Sequence, residues 1–167
     1  MENLTEAEKY FKEGNSIYEK AGDTMGQLSE TLPALSRLYL NRGETEKAKA
    51  LIEKTYAYAS KTESKSDMAD AELLKGMLFK EQKNWEQSIQ HFENGLRRYE
   101  SIDAQKWYVH NFAKLLYEYG LTYLERNEEG DRDRAYGLLN RSLEMYNRMD
   151  AKKKIERIIA KKKLLTA

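Results

Sequence analysis

Apolar residues recur along this chain at intervals of three and four and nowhere alternate over a useful length, a pattern that builds helix faces and not strands. The spacing predicts helices near 4–21, 25–42, 45–61, 67–82, 85–101, 104–127, 131–148 and 151–165. Breaks fall at Asn41 to Glu44, Gln82 to Asn84 and Asn127 to Asp131, where Gly43 and Gly130 can end a helix in a left-handed conformation. Thr5 with Glu8, and Asn84 with Gln87, have the spacing of capping boxes at helix starts.

The pattern also repeats. Stretches beginning at Ala7, Ala48, Ser88 and Ala135 align without gaps, their starts 41, 40 and 47 residues apart. Each carries a small residue, then a large apolar one four positions on (Phe11, Ile52, Phe92, Leu139), then a small or hydroxyl residue three further (Gly14, Thr55, Gly95, Ser142). Spacings of four and three put all three on one helical face. Ahead of three of these stretches lies a helix of a second type, marked by Leu32, Leu35, Ser36 and Tyr39, by Gly76 and Phe79, and by Leu116, Tyr119, Gly120 and Tyr123. A helix pair with one apolar face cannot bury that face alone. Stacked pairs can, with glycine, serine and alanine where backbones approach.

Composition narrows the picture. The 167 residues suit one domain, and 34% charged residues with a mean hydropathy of −0.88 leave only narrow apolar stripes to bury. One proline and nine glycines are too few for a turn-rich β-sandwich. Zero cysteines exclude disulfides and thiolate metal sites and fit a reducing compartment, so a cytoplasmic protein is expected. The acidic, polar start has no signal-peptide pattern, and no window approaches the roughly 18 apolar residues of a spanning helix.

The ordered set Leu32, Leu35, Ser36, Tyr39, Gly43, Ala48 and Ile52, with its counterparts Gly76, Phe79, Ser88 and Phe92 and then Leu116, Tyr119, Gly120, Tyr123, Ala135 and Leu139, resembles the tetratricopeptide repeat (TPR) family in its long, about 40-residue variety. The family's closing proline is absent, and Glu128 to Gly130 lengthen the third turn. The resemblance implies an all-α, right-handed superhelix of antiparallel pairs, an α-solenoid. It divides into an orphan helix at 4–21, repeats at about 25–61, 67–101 and 104–148, and a capping helix at 151–165.

Chemistry is sparse. No phosphate-cradling glycine motif is present, His91 and His110 form no metal-ligand cluster, and Glu128, Glu129, Asp131 and Asp133 read as loop and helix-start charge, so no catalytic, cofactor or metal site is expected. Tyr39, Tyr119 and Tyr123 read as packing residues that keep a hydroxyl for the wet edge.

In the TPR family the first helix of each pair lines a concave groove. By that resemblance the partner-binding face takes Arg37, Leu40 and Asn41, then Leu73, Met77 and Lys80, then Lys114, Tyr117, Leu121 and Leu124. The apolar members flanked by Arg37, Lys80 and Lys114 suit a protein or peptide ligand with an acidic edge. The family's terminal-carboxylate clamp is not expected, since Pro33, Arg37 and Leu74 occupy three of its positions. A non-catalytic scaffold is the first reading, and a peptide- or ligand-sensing regulatory module the second.

A third rests on the tail. Residues 151–167 hold seven basic residues and one acidic, against 22 and 27 in the rest of the chain. Ile155, Ile158 and Ile159 make it a basic amphipathic helix that could meet nucleic acid or an acidic membrane. It contains no aromatic platform for bases, and a lid over the last pair explains it better. The sequence leaves self-association open.

Overall fold

The computed structural model describes residues 2–22 and 26–166. Its helices are α1 (Glu2–Ala21), α2 (Leu28–Asn41), α3 (Thr45–Thr62), α4 (Lys65–Glu81), α5 (Trp85–Glu100), α6 (Ala104–Trp107), α7 (Val109–Arg126), α8 (Asp131–Arg148) and α9 (Lys152–Thr166), with no strand among the described residues. The architecture is an all-α helical repeat in which each helix packs on the next. The pairs α2–α3, α4–α5 and α7–α8 are the most intimate. The expected helix start at 25 lies outside the described residues.

The small residues set the pair spacing. Ala48, Ser88 and Ala135 are fully buried, as are Ile52, Phe92 and Leu139 four residues on. A Cβ added at Gly76 would sit 2.8 Å from the Phe92 ring, and one at Gly120 would sit 3.0 Å from Leu139. Ser88 Oγ donates to the Gly76 carbonyl at 2.9 Å and Ser142 Oγ to that of Ala113 at 2.8 Å, so the close approach leaves no hydroxyl unpaired. The counterparts in α1, Ala7, Phe11 and Gly14, stay half-exposed because α2 is the principal neighbour of that helix.

Local departures from the sequence reading have physical causes. The predicted helix 104–127 is two helices: Tyr108 leaves helical geometry (φ −121°, ψ 36°) while its N–H still reaches the Ala104 carbonyl at 2.9 Å. The apolar spacing runs through this kink, so periodicity could not reveal it. Thr5 lies inside α1 and caps nothing; its supposed partner Glu8 instead accepts from Tyr39 Oη (2.8 Å), Arg42 and Lys12. Asn84 does cap, accepting from the Gln87 N–H at 3.3 Å.

At the third turn Asn127 (φ 55°) ends α7, while Gly130 (φ 78°) leads into α8. The longer turn holds the buried Asp131 carboxylate, which accepts from Arg126 Nη2 at 2.6 Å, Arg126 Nε at 2.8 Å and the Glu128 N–H at 2.9 Å. On the lid, Ile158 is 1% exposed and Ile155 packs on the core, but Ile159 is 42% exposed and covers nothing.

Candidate concave binding face

Within the array α2 approaches α4, and α4 approaches α7, while α3, α5 and α8 make no comparable approach to one another. An inner row packed more closely than the outer one curves the array, so the face formed by α2, α4 and α7 is its concave side.

The expected face residues divide by depth. Leu40, Leu73 and Met77 belong to the core, so the sequence reading placed them too far out: three first helices packed side by side bury the residues at their mutual contacts. Asn41 is exposed. Lys80 is buried and occupied, donating to Glu118 at 2.9 Å with Glu125 at 3.8 Å. Burial works against the Lys80 charge, but Glu118 outweighs it and holds its pKa above the usual lysine value. Arg37, Lys114, Tyr117, Leu121 and Leu124 are half-buried and line the surface.

Next to Arg37 lies a polar cleft of about 350 Å³ that also involves Asp70, Tyr108 and Asn111. Asp70, one turn before Leu73, falls on the inward face that the TPR resemblance implies for α4, whereas Asn111 was passed over; its position one turn before Lys114 was the available signal. Asp70 is 9% exposed and accepts from Tyr99 Oη and, at 2.8 Å, from Asn111 Nδ2. Burial pushes its carboxyl up to about 6, against the opposing pull of Tyr99, Arg37 and Asn111.

One turn beyond Asn111 on α7, burial and then the Arg37 charge push Lys114 down to about 8. Burial, then Lys114, Lys154 and Arg37, likewise lower His110.

The histidines take packing roles. His91 stacks on Phe79 with ring centroids 5.3 Å apart and Nδ1 2.7 Å from Glu72, and His110 meets Tyr146 edge to face with centroids 6.1 Å apart.

No protein-family model matches the chain, and no curated protein matches it in sequence. Among solved structures it is similar to BtubC (BKLC) from P. vanneervenii, with a TM-score of 0.72 at 15% identity over 97% of this chain and 63% of that one. The chain thus spans less than two thirds of that protein's length, and the likeness is one of fold.

Proposed function

We propose that this chain is a non-catalytic, TPR-like scaffold of the cytoplasm that binds a protein or peptide segment along its concave face. The observation that supports the reading is the make-up of that face: a polar cleft at Arg37, Asp70 and Asn111, and, farther along the same helix α7 that carries Asn111, the half-buried Tyr117, Leu121 and Leu124. A half-buried tyrosine beside leucines offers large contact area at low conformational cost, and flanking polar groups fix a ligand's direction.

Its test is Tyr117→Ala in a binding assay against a partner captured with the intact protein. The variant should weaken the partner by about 1 kcal/mol or more while keeping its helical circular dichroism. Unchanged affinity in a folded variant would move the binding surface elsewhere.

A further inference from the structure

Two helices of the array lack half of a pair. α1 carries the second-helix pattern of Ala7, Phe11 and Gly14, and it packs chiefly on α2, as α3 packs on α4. α9 packs chiefly on α8, as α4 packs on α3, which is the place of a first helix. The face that each would turn to its own pair mate stays open.

The repeat register identifies the residues left open. Tyr10 aligns with His91 of α5, and Ile17 aligns with Arg98 of α5 and Met145 of α8. In the complete pair α4–α5, His91 stacks on Phe79 with Nδ1 2.7 Å from Glu72, and Arg98 Nε lies 3.9 Å from the same carboxylate. Met145 is buried, whereas Tyr10 and Ile17 are 61% and 62% exposed. On α9, Ile158 aligns with Leu35 and is buried like it, which sets Ile159 in register with Ser36, Gly76 and Gly120. Those three are buried, Gly76 and Gly120 against the second helices of their pairs, while Ile159 is 42% exposed.

We infer that the open face of α9 in one copy receives the open face of α1 from a second copy, completing a helix pair between molecules. By the same register Tyr10 and Ile17 lie over Ile155, the counterpart of Glu72, and Phe11 meets Ile159 as Phe92 meets Gly76. One contact then covers the apolar side chains that both helices leave in water. The charges complement each other: α1 holds five acidic and three basic residues, and α9 seven basic and one acidic. Ile159 has the bulk that Gly76 and Gly120 lack, so this pair sits farther apart than the pairs within a copy. The two faces differ and lie on the first and last helices of the array, so each copy can give one and receive the other. The product is an open head-to-tail series. It uses neither Tyr117 nor the cleft at Arg37, and it stands or falls apart from the concave-face reading.

The test is sedimentation equilibrium of the intact chain from about 10 μM to about 1 mM, the range suited to a single helix-pair contact. The average mass should climb with concentration from the 19.6 kDa of one chain past that of two. Raising sodium chloride from about 0.05 to about 0.5 M should weaken the association several-fold. Tyr10→Lys with Ile17→Lys blocks one face, and Ile159→Lys blocks the other. All three positions are exposed, so circular dichroism and melting temperature should hold. Each variant alone should keep the mass of one chain. Mixed in equal amounts, the two should join in pairs and go no further, because each retains the face that the other has lost.

A parent that remains a single chain throughout overturns the interface and leaves both faces to partners of another kind. A variant that still associates with itself also overturns it, since pairing through like faces survives wherever that face is intact. Folded variants whose mixture stays at the mass of one chain overturn it as well.

Discussion

The interface between α4 and α5 and the face shared by α2, α4 and α7 both bury polar groups, and they treat them in opposite ways. Between α4 and α5 the buried polar groups have partners: the Ser88 hydroxyl donates to the Gly76 carbonyl, with Phe92 closing the space above that glycine, and the Glu72 carboxylate lies 2.7 Å from His91 Nδ1. On the concave side the ions are not all satisfied. Asp70 is hydrogen-bonded twice, while Arg37 and Lys114 have no direct acceptor. An interface built for stability leaves nothing unpaired, because each unpaired buried group costs folding free energy. A face that tolerates unpaired ions gives up stability for something else, and binding is the natural use.

The largest expected effect attacks the satisfied side. Phe92 is fully buried, stacks on Tyr119 with ring centroids 5.5 Å apart, and fills the space over Gly76. Phe92→Ala should therefore cost about 3–5 kcal/mol in denaturant unfolding, as expected for loss of a core phenyl group. A cost below about 1 kcal/mol would mean the pair interface is not the stabilising element claimed for it.

Next comes the charged side, read through pH. The folded state raises the Asp70 carboxyl to about 6 from an ordinary 3.8, so folding favours its protonated form. The stability this contributes is complete below about pH 4 and is lost as pH rises through 6, a swing of up to about 3 kcal/mol. Asp70→Asn removes that titration, and Asn111 can turn its amide to keep a hydrogen bond. Between pH 4.5 and 7.5 the variant should gain on the parent by about 2 kcal/mol of that swing. Glu8 has the opposite sign: hydrogen bonds from Lys12, Tyr39 and Arg42 lower it to about 2, so its contribution is present above about 4.5 and fades as pH falls toward 2. Lying near the surface, Glu8 should matter much less. If the stability difference between Asp70→Asn and the parent is flat across this range, Asp70 is charged without penalty and the contrast between the two regions fails.

A smaller effect returns to the helix pairs. Gly120 and Ala135 meet where α7 crosses α8, and a Cβ at Gly120 would also lie 3.4 Å from the Ala135 carbonyl. Leucine at either position should overpack the crossing and cost about 1–3 kcal/mol, measured by thermal melting. Both variants melting like the parent would put the repeat register in error.

Register was the most legible property of the sequence. The small, large, small pattern is local and periodic, so Ala48, Ile52, Ser88, Phe92, Ala135 and Leu139 could be placed in pair interfaces from spacing alone, and all are buried. Depth was less legible. A helical wheel shows which way Leu73 and Met77 point but not how closely α2, α4 and α7 approach, and that approach is what buries them. The kink at Tyr108 escaped because apolar spacing continues across it, and the pairing of Asp70 with Asn111 escaped because nothing local marks two polar residues 41 positions apart as hydrogen-bonded partners.

The smallest effect concerns the basic tail. If α9 serves chiefly as a lid, its attachment lies in Ile158 and Ile155, with Leu165 also on the core, and its exposed charge should be dispensable for folding. Lys162 is not one of the free charges: it donates to Asn140 and its ammonium lies 4.7 Å from the Tyr136 ring centroid. The clean variant is therefore Lys152→Gln, Lys153→Gln and Lys161→Gln together, all three being exposed on α9. Surface substitutions of this kind stay within about 0.5 kcal/mol, so the triple variant should melt within a few degrees of the parent and keep partner binding. Ile158→Ala, on the same helix, should cost about 2–5 kcal/mol because it opens a cavity under the lid. If the glutamine variant instead loses binding to nucleic acid or acidic vesicles that the parent binds at physiological salt, the outer face of α9 is a functional surface in its own right. Unpaired charge would then be a property of two faces, and its presence on the concave side would no longer single that side out.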